Sequence, residues 1–392
     1  MPTSPASQNL CFITASPLTV QAFLGPHINN LAGDYTVSVA TNLDGAEQTT
    51  ASFPQIEFHN IPIARRFKPI SDLGMAVKVA RLLQSQTFDA VISVGPKAGL
   101  IVSLVAKASR VPVRIHWFTG QVWAGKKTPQ RQIFKFLDRL ILWSTNASLV
   151  DGRSQRDFLV RERVAREGQL GLLSHGSISG VDQGRFRPDS LRRVEMRRVL
   201  GIPQTTTVIL FLGRITKDKG VPDLTAAYAS MRAEKDILLL VVGPDEENRI
   251  QDWANKVRKV GRDVLVVGAT PHPEAFYSLA DIMVLPSYRE GFGTSVIEAS
   301  ASGLPVVVSD IYGLANAVED GVTGIVFPVG DVKALAAALD DLVSDTRKRS
   351  SLGIQGIAFV RNYFAQPKVL SAFESYLSKQ LSSYNGWTRN GR

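Results

Sequence analysis

Short runs rich in Val, Ile and Leu recur along the whole chain, and a stretch with helical spacing separates each from the next. In the first half the runs lie at 10–15, 35–40, 88–94, 113–117, 147–150 and 170–173. In the second they lie at 207–212, 237–242, 264–267, 282–285, 306–308 and 324–327. They lack a clean apolar–polar alternation, so they read as strands covered on both faces. Helical patterns fall near 18–31, 72–86, 97–109, 130–143 and 154–166, then near 220–232, 246–260, 272–279, 294–302, 313–318 and 331–345. This rhythm predicts an α/β chain whose helical crossovers join mostly parallel, doubly wound sheets.

A chain of 392 residues exceeds what one hydrophobic core organises, so two domains are expected. Residues 1–185 make the first, 186–365 the second, and 366–392 a last helix with a loose tail. The junction near 181–205 is Arg-rich and contains Pro188 and Pro203, with a short helix at 191–199 opening the second domain. The polar ends, 1–8 and 382–392, read as loose. Cys11, the single cysteine, sits in an apolar run and reads as a small buried hydrophobe. No Cys/His metal spacing exists. A basic-then-apolar leader is missing and no run reaches about 18 apolar residues, so a cytoplasmic chain is expected.

The net charge of +10 is uneven. Residues 1–185 hold 20 Lys/Arg against 12 Asp/Glu, and residues 186–392 hold 25 against 23. An anionic partner for the first half and a merely solvated basic surface both fit. Residues 126–143 set Lys126, Lys127, Arg131, Lys135 and Arg139 among Ile133, Phe134, Leu137, Ile141 and Trp143. That pattern fits either an interfacial helix on anionic lipid or a core helix with a basic outer side. Arg65, Arg66 and Lys68 extend the basic rim. Interleaved aromatics and helix-turn-helix patterning are missing, so no nucleic-acid partner is expected.

Ligands of doubly wound sheets bind beyond the carboxyl ends of the strands, so the loops there carry the chemistry. GRITKDKG (213–220) follows one run. Its glycines let backbone approach an anion, while Arg214 offers a planar fork and Lys219 a point charge for phosphate. PSYREGFGTSVIEA (286–299) follows another. Its glycine turn opens a helix at Thr294, whose N-terminal N–H groups favour a diphosphate. Glu290 lies before that turn and Glu298 inside the helix, suited to sugar hydroxyls and to a ribose diol. Gly291-Phe292-Gly293 is half a dinucleotide fingerprint, but position 296 is Val, which disfavours nicotinamide chemistry.

Together these segments resemble the family 4 glycosyltransferases of GT-B fold. The carrying residues are GRITKDKG (213–220), VVGPDE (241–246), ADIMVLPSYREGFGTSVIEASASGLPVVVSD (280–310) and DGVTGIVFP (320–328). In the first domain SPLTVQAFLGPHINNL (16–31), RIHWFTGQVWA (114–124) and SISGVDQGRF (177–186) look like the subgroup serving bacterial capsule, O-antigen and glycan precursors. The resemblance implies two Rossmann-like domains facing a central cleft, the first binding the acceptor and the second a nucleotide-sugar donor, usually UDP-linked. Arg214 and Lys219 would hold the diphosphate, Glu298 the ribose and Glu290 the donor sugar. Backbone N–H groups of Gly291, Phe292, Gly293, Thr294 and Ser295 would surround sugar and phosphate, with a Thr294 or Ser295 hydroxyl on phosphate. Gly243 would lie near base and ribose, and His116 would face the transferred sugar.

The resemblance further implies retention of anomeric configuration and a polyprenyl-diphosphate-linked saccharide as acceptor, met at the inner face of the membrane. The donor sugar is expected to be an N-acetylhexosamine or a deoxy relative. The chain contains no Asp-x-Asp, so positive protein groups are expected to replace a metal, and no cofactor is expected. A nucleotide-sugar epimerase or phosphorylase of the same fold, and a non-catalytic nucleotide-sugar-binding protein, remain as alternatives.

Overall fold

The structure, a computed structural model, describes residues 8–63, 69–233 and 236–389. Arg65, Arg66 and Lys68 of the expected basic rim lie outside them. The chain falls into two units, Met1–Ser179 with Pro367–Arg392, and Gly180–Gln366.

The first unit holds β1 (Asn9–Thr14), β2 (Thr36–Thr41), β3 (Glu57–Asn60), β4 (Ala90–Val94), β5 (Val113–Phe118), β6 (Ala147–Val150) and β7 (Gly171–Leu172). They form one sheet in the order β3-β2-β1-β4-β5-β6-β7, with every pairing parallel. Strand β3 was not expected. As an edge strand it reads EFHN and buries no residue fully, so it lacks the apolar run that marks its neighbours. The expected helix at 18–31 is three pieces, Pro17–Thr19, a π-helical turn Val20–Leu24, and Gly25–Leu31.

The last helix, Gln366–Arg389, completes this unit's core. Val369, Phe373 and Leu377 recur every fourth residue, are fully buried, and pack with Phe12 and Trp117. The helix runs through Arg389, so residues 382–389 are helical rather than a loose tail.

The second unit holds β8 (Thr207–Leu212), β9 (Ile237–Val242), β10 (Asp263–Val267), β11 (Ile282–Leu285), β12 (Val306–Ser309) and β13 (Gly324–Phe327). Their order is β10-β9-β8-β11-β12-β13, again all parallel. Both sheets therefore reverse winding next to their first strand, at β1/β4 and at β8/β11. Each is a Rossmann-like α/β unit.

One expectation for this unit changes. Residues 313–318 form successive turns, with Leu314 bonded to Ile311 and Ala317 to Leu314, not a helix. A Cβ on Gly313 would lie 2.2 Å from the Glu290 carbonyl oxygen, so that backbone must pass too close for an ordinary helix face. The Arg-rich junction holds the helix expected at 191–199. Helix Ser190–Val199, capped by Asp189, buries Arg197 completely. Its guanidinium donates to the carbonyls of Pro203, Leu279 and Thr206 and to Asp281 at 2.8 Å. That satisfies a buried charge and ties the helix to the start of the sheet.

Candidate active site

Strands β8 and β11 are neighbours at the point where the second sheet reverses, with Ile209 opposite Ile282. Their following loops therefore leave side by side from the carboxyl edge. Gly220, in the left-handed region at φ 71°, brings the two loops into contact, since a Cβ there would lie 2.0 Å from the Pro286 carbonyl oxygen. The loop after β9 joins them. Gly243, at φ 145°, leaves room for the Gly213 carbonyl, and Ile215 donates its N–H to Pro244 at 2.8 Å.

This convergence gathers the expected charges. Lys219 Nζ lies 2.5 Å from Glu290 Oε1, and the Ser287 hydroxyl donates to the same oxygen at 2.8 Å. Both charged side chains are largely enclosed. Arg214 donates to Glu246 at 2.8 Å and stands 3.8 Å from Asp218. Asp218 also pairs with Arg289 at 3.2 Å and accepts from the Thr216 hydroxyl. Burial pushes the Asp218 carboxyl upward, but Thr216, Arg214, Arg289 and Lys219 outweigh it and hold it below the usual range.

Helix Thr294–Ala301 starts where the glycine turn ends, with Gly293 as its cap. Glu298 accepts from the buried Tyr277 hydroxyl at 3.0 Å. Burial raises its pKa to about 7, although the Tyr277 bond works to lower it. Tyr277 belongs to helix Pro273–Leu279. At the start of that helix Glu274 pairs with Arg185 at 2.8 Å and with His272. Gly291, Thr294 and Ser295 are partly exposed along the turn.

The Phe292 ring packs on Phe364 in the core, which leaves its backbone, the part expected to meet a ligand. Two expected roles change. The Thr294 N–H is taken up by the Phe292 carbonyl at 2.9 Å. His116 is fully buried in mid-strand β5, with Nδ1 2.9 Å from the Ser93 hydroxyl and its ring edge-on to Phe118. A Cβ on Gly99 would lie 2.2 Å from that ring. Burial lowers the His116 pKa to about 3, so the ring is neutral. It is enclosed, not sugar-facing, because residue 116 precedes the strand's end; Thr119 and Gly120 follow that end.

Sequence reasoning missed Tyr277, Ser287, Asp218, Glu246 and Arg289. Ser287 and Arg289 lie within three residues before Glu290 in the chain, but Tyr277 meets Glu298 across 21 residues with no local spacing to reveal it. Among the described residues no group of three His, Cys, Asp or Glu side chains could hold a metal ion. Chemically, the edge offers three cations and a helix N-terminus to an anion, beside carboxylates suited to hydroxyls.

Residues 28–173 match the model of a glycosyl transferase 4-like domain, and residues 192–359 that of glycosyl transferases group 1. The chain belongs to the family 4 glycosyltransferases. This glycosyltransferase is 28% identical over 330 residues to the capsular polysaccharide biosynthesis glycosyltransferase CapM of Staphylococcus aureus, covering 84% of its own chain and 86% of that relative. It is 33% identical over 236 residues to the D-inositol 3-phosphate glycosyltransferase of Corynebacterium aurimucosum, covering 58% of its own chain and 55% of that relative. The chain thus spans only about half the length of that second relative. Among solved structures, the sucrose-phosphate synthase of Thermosynechococcus elongatus aligns with TM-score 0.79 at 20% identity, over 96% of this chain and all of that one. HepE of Anabaena, in complex with UDP-glucose, aligns with TM-score 0.77 at 17% identity, over 95% of this chain and 99% of that one. These likenesses establish the GT-B fold.

Proposed function

We propose that this glycosyltransferase moves a sugar from a nucleoside diphosphate, UDP in the first instance, to a saccharide carried on a polyprenyl diphosphate. The product would enter capsule, O-antigen or a related surface glycan, and the enzyme would work at the cytoplasmic face of the inner membrane. The observation that carries this reading is the placement of Arg214, Lys219 and Glu290 on the touching loops after β8 and β11, with Glu298 in the helix that the second loop opens. The capsular relative and the UDP-glucose complex of HepE support the choice of product and donor.

In the reaction the bond from the anomeric carbon to the diphosphate oxygen breaks, and the acceptor oxygen bonds to that carbon. The acceptor's proton passes to the leaving phosphate on the same face, so configuration is retained. Charge grows on the diphosphate as an oxocarbenium-like centre forms. Arg214 and Lys219 stabilise that charge where it develops, beside the helix at Thr294, without a divalent cation. Glu290 orients the sugar and Glu298 the ribose.

The test is a donor screen by mass spectrometry with short-chain lipid-linked acceptors, run with and without EDTA. Sugar addition at full rate in EDTA, with an α-linked product from an α-linked donor, is the expected result. Donor conversion without acceptor would instead mark an epimerase, and binding without turnover a sensor.

A further inference from the structure

Helix Gln130–Ser144 buries one face, through Lys135, Asp138, Ile141 and Leu142. It also leaves a second apolar stripe in water. Ile133, Phe136 and Trp143 are 57%, 60% and 63% exposed, with Leu140 partly exposed between them. Successive spacings of three and four residues put all four side chains on one face. A contiguous exposed stripe of this kind marks an interaction surface.

The charges beside it are unbalanced. The neighbouring acids are already engaged: Asp138 accepts from the Trp123 indole at 2.7 Å, and Glu162 pairs with Arg131 at 2.8 Å and Lys135 at 3.1 Å. Among the described residues, Lys126, Lys127, Arg139, Arg163 and Arg166 pair with no carboxylate. Lys107 Nζ sits 3.2 Å from the centre of the Trp143 ring. Next to Trp143 opens a cavity of about 570 Å³, rimmed by Arg139, Arg163 and Arg166 over Leu142 and Val160. Its rim is fixed, because Arg139 donates through Nε and Nη2 to the Arg163 carbonyl at 3.0 and 2.8 Å. Arg163 itself holds φ at 57°.

We infer that this stripe and the adjoining arginine cavity dock on a bilayer of anionic phospholipid, the stripe entering the interface and the cavity receiving a lipid phosphate. The inference deepens the proposed lipid-linked reaction and rests on it only for its purpose. Apolar side chains flanked by unneutralised cations match acyl boundary and headgroup together, and Trp favours that boundary. Nucleic acid would answer the cations but not the stripe. A second copy would bring like charges face to face.

The experiment uses the full chain with vesicles of phosphatidylcholine, alone or mixed with phosphatidylglycerol. Cosedimentation is expected with the mixed vesicles and should fall by about tenfold for Arg163→Gln with Arg166→Gln. It should fall similarly for Phe136→Ser with Trp143→Ala, while UDP affinity and transfer to a water-soluble acceptor stay at wild-type levels. Those last two readouts test the reaction separately and report that the variants fold. Equal binding to both vesicle types, unchanged binding by both variants, or a dimer that the Phe136/Trp143 variant dissolves would each overturn the inference.

Discussion

Lys219 Nζ lies 2.5 Å from Glu290 Oε1, so two residues 71 apart in sequence neutralise each other at the carboxyl edge of the second sheet. In the proposed reaction a donor entering there would exchange this pair for contacts of its own, diphosphate with Lys219 and sugar with Glu290. Truncating Lys219 removes the cation and leaves Glu290 enclosed without it. Lys219→Ala should lower turnover on the order of tenfold to a hundredfold. Glu298→Ala should weaken UDP binding by about tenfold or more, through loss of hydrogen bonds to a charged acceptor. Single-turnover kinetics and calorimetry measure the two effects; near wild-type values in both would place the donor elsewhere.

Arg214 is held by Glu246 at 2.8 Å on the exposed side of the same site. In the proposed site a phosphate would compete with that carboxylate. Glu246→Gln weakens the competitor and should tighten UDP binding by about two- to fivefold, the range of an exposed ion pair. Unchanged or weaker binding by calorimetry would mean that Glu246 positions Arg214 instead of competing for it.

Gly220 joins the two loops because it alone tolerates both φ 71° and the Pro286 carbonyl beside it. Gly220→Ala meets a backbone oxygen 2.0 Å from the new Cβ. The left-handed conformation adds about 1–2 kcal/mol for a residue with a Cβ. Lower Tm and weakened UDP binding should appear together. A variant with native Tm and affinity would show that the loops part without consequence.

The buried Asp151 accepts from the Trp117 indole at 2.9 Å, and burial raises its pKa to about 7 against that bond. The native state thus keeps a proton that the unfolded chain releases near pH 4. Its contribution to stability is full below that value and is lost as pH rises toward 7. Glu298 acts in the same direction. Tm should fall between pH 5 and 8, and Asp151→Asn, which keeps an acceptor for Trp117, should flatten the decline. An identical pH slope in wild type and variant would refute the assignment.

Arg197 is fully enclosed and paired with Asp281. Arg197→Ala leaves Asp281 to Arg193 and the Val208 N–H, but strands the carbonyls of Pro203, Gln204 and Thr206, which should cost about 1–3 kcal/mol. Chemical denaturation reads the loss, and a change under 1 kcal/mol would place the pair among weak surface bridges.

Which loops meet at the switch point was decided by the sheet order, which sets β8 beside β11. The positions of the strands were legible, because buried parallel strands write themselves as apolar runs. Thus 282–285 and 324–327 emerge as β11 and β13, and the helix opens at Thr294 as its glycine turn requires. Local sequence did not reveal β3, whose edge position frees it from the apolar pattern, nor the turns at 313–318, imposed by the approach of Gly313 to Glu290.

Side-chain partnerships belong to the tertiary structure alone. Sequence placed Glu298 in a helix, but only packing set it against Tyr277 and raised its pKa. Sequence likewise put His116 beside a strand end, and the burial of β5 enclosed it. Periodicity and turn chemistry act over a few residues and survive in the order of the chain. Burial, charge pairing and loop contact arise between segments that only folding brings together, as across the 71 residues from Lys219 to Glu290.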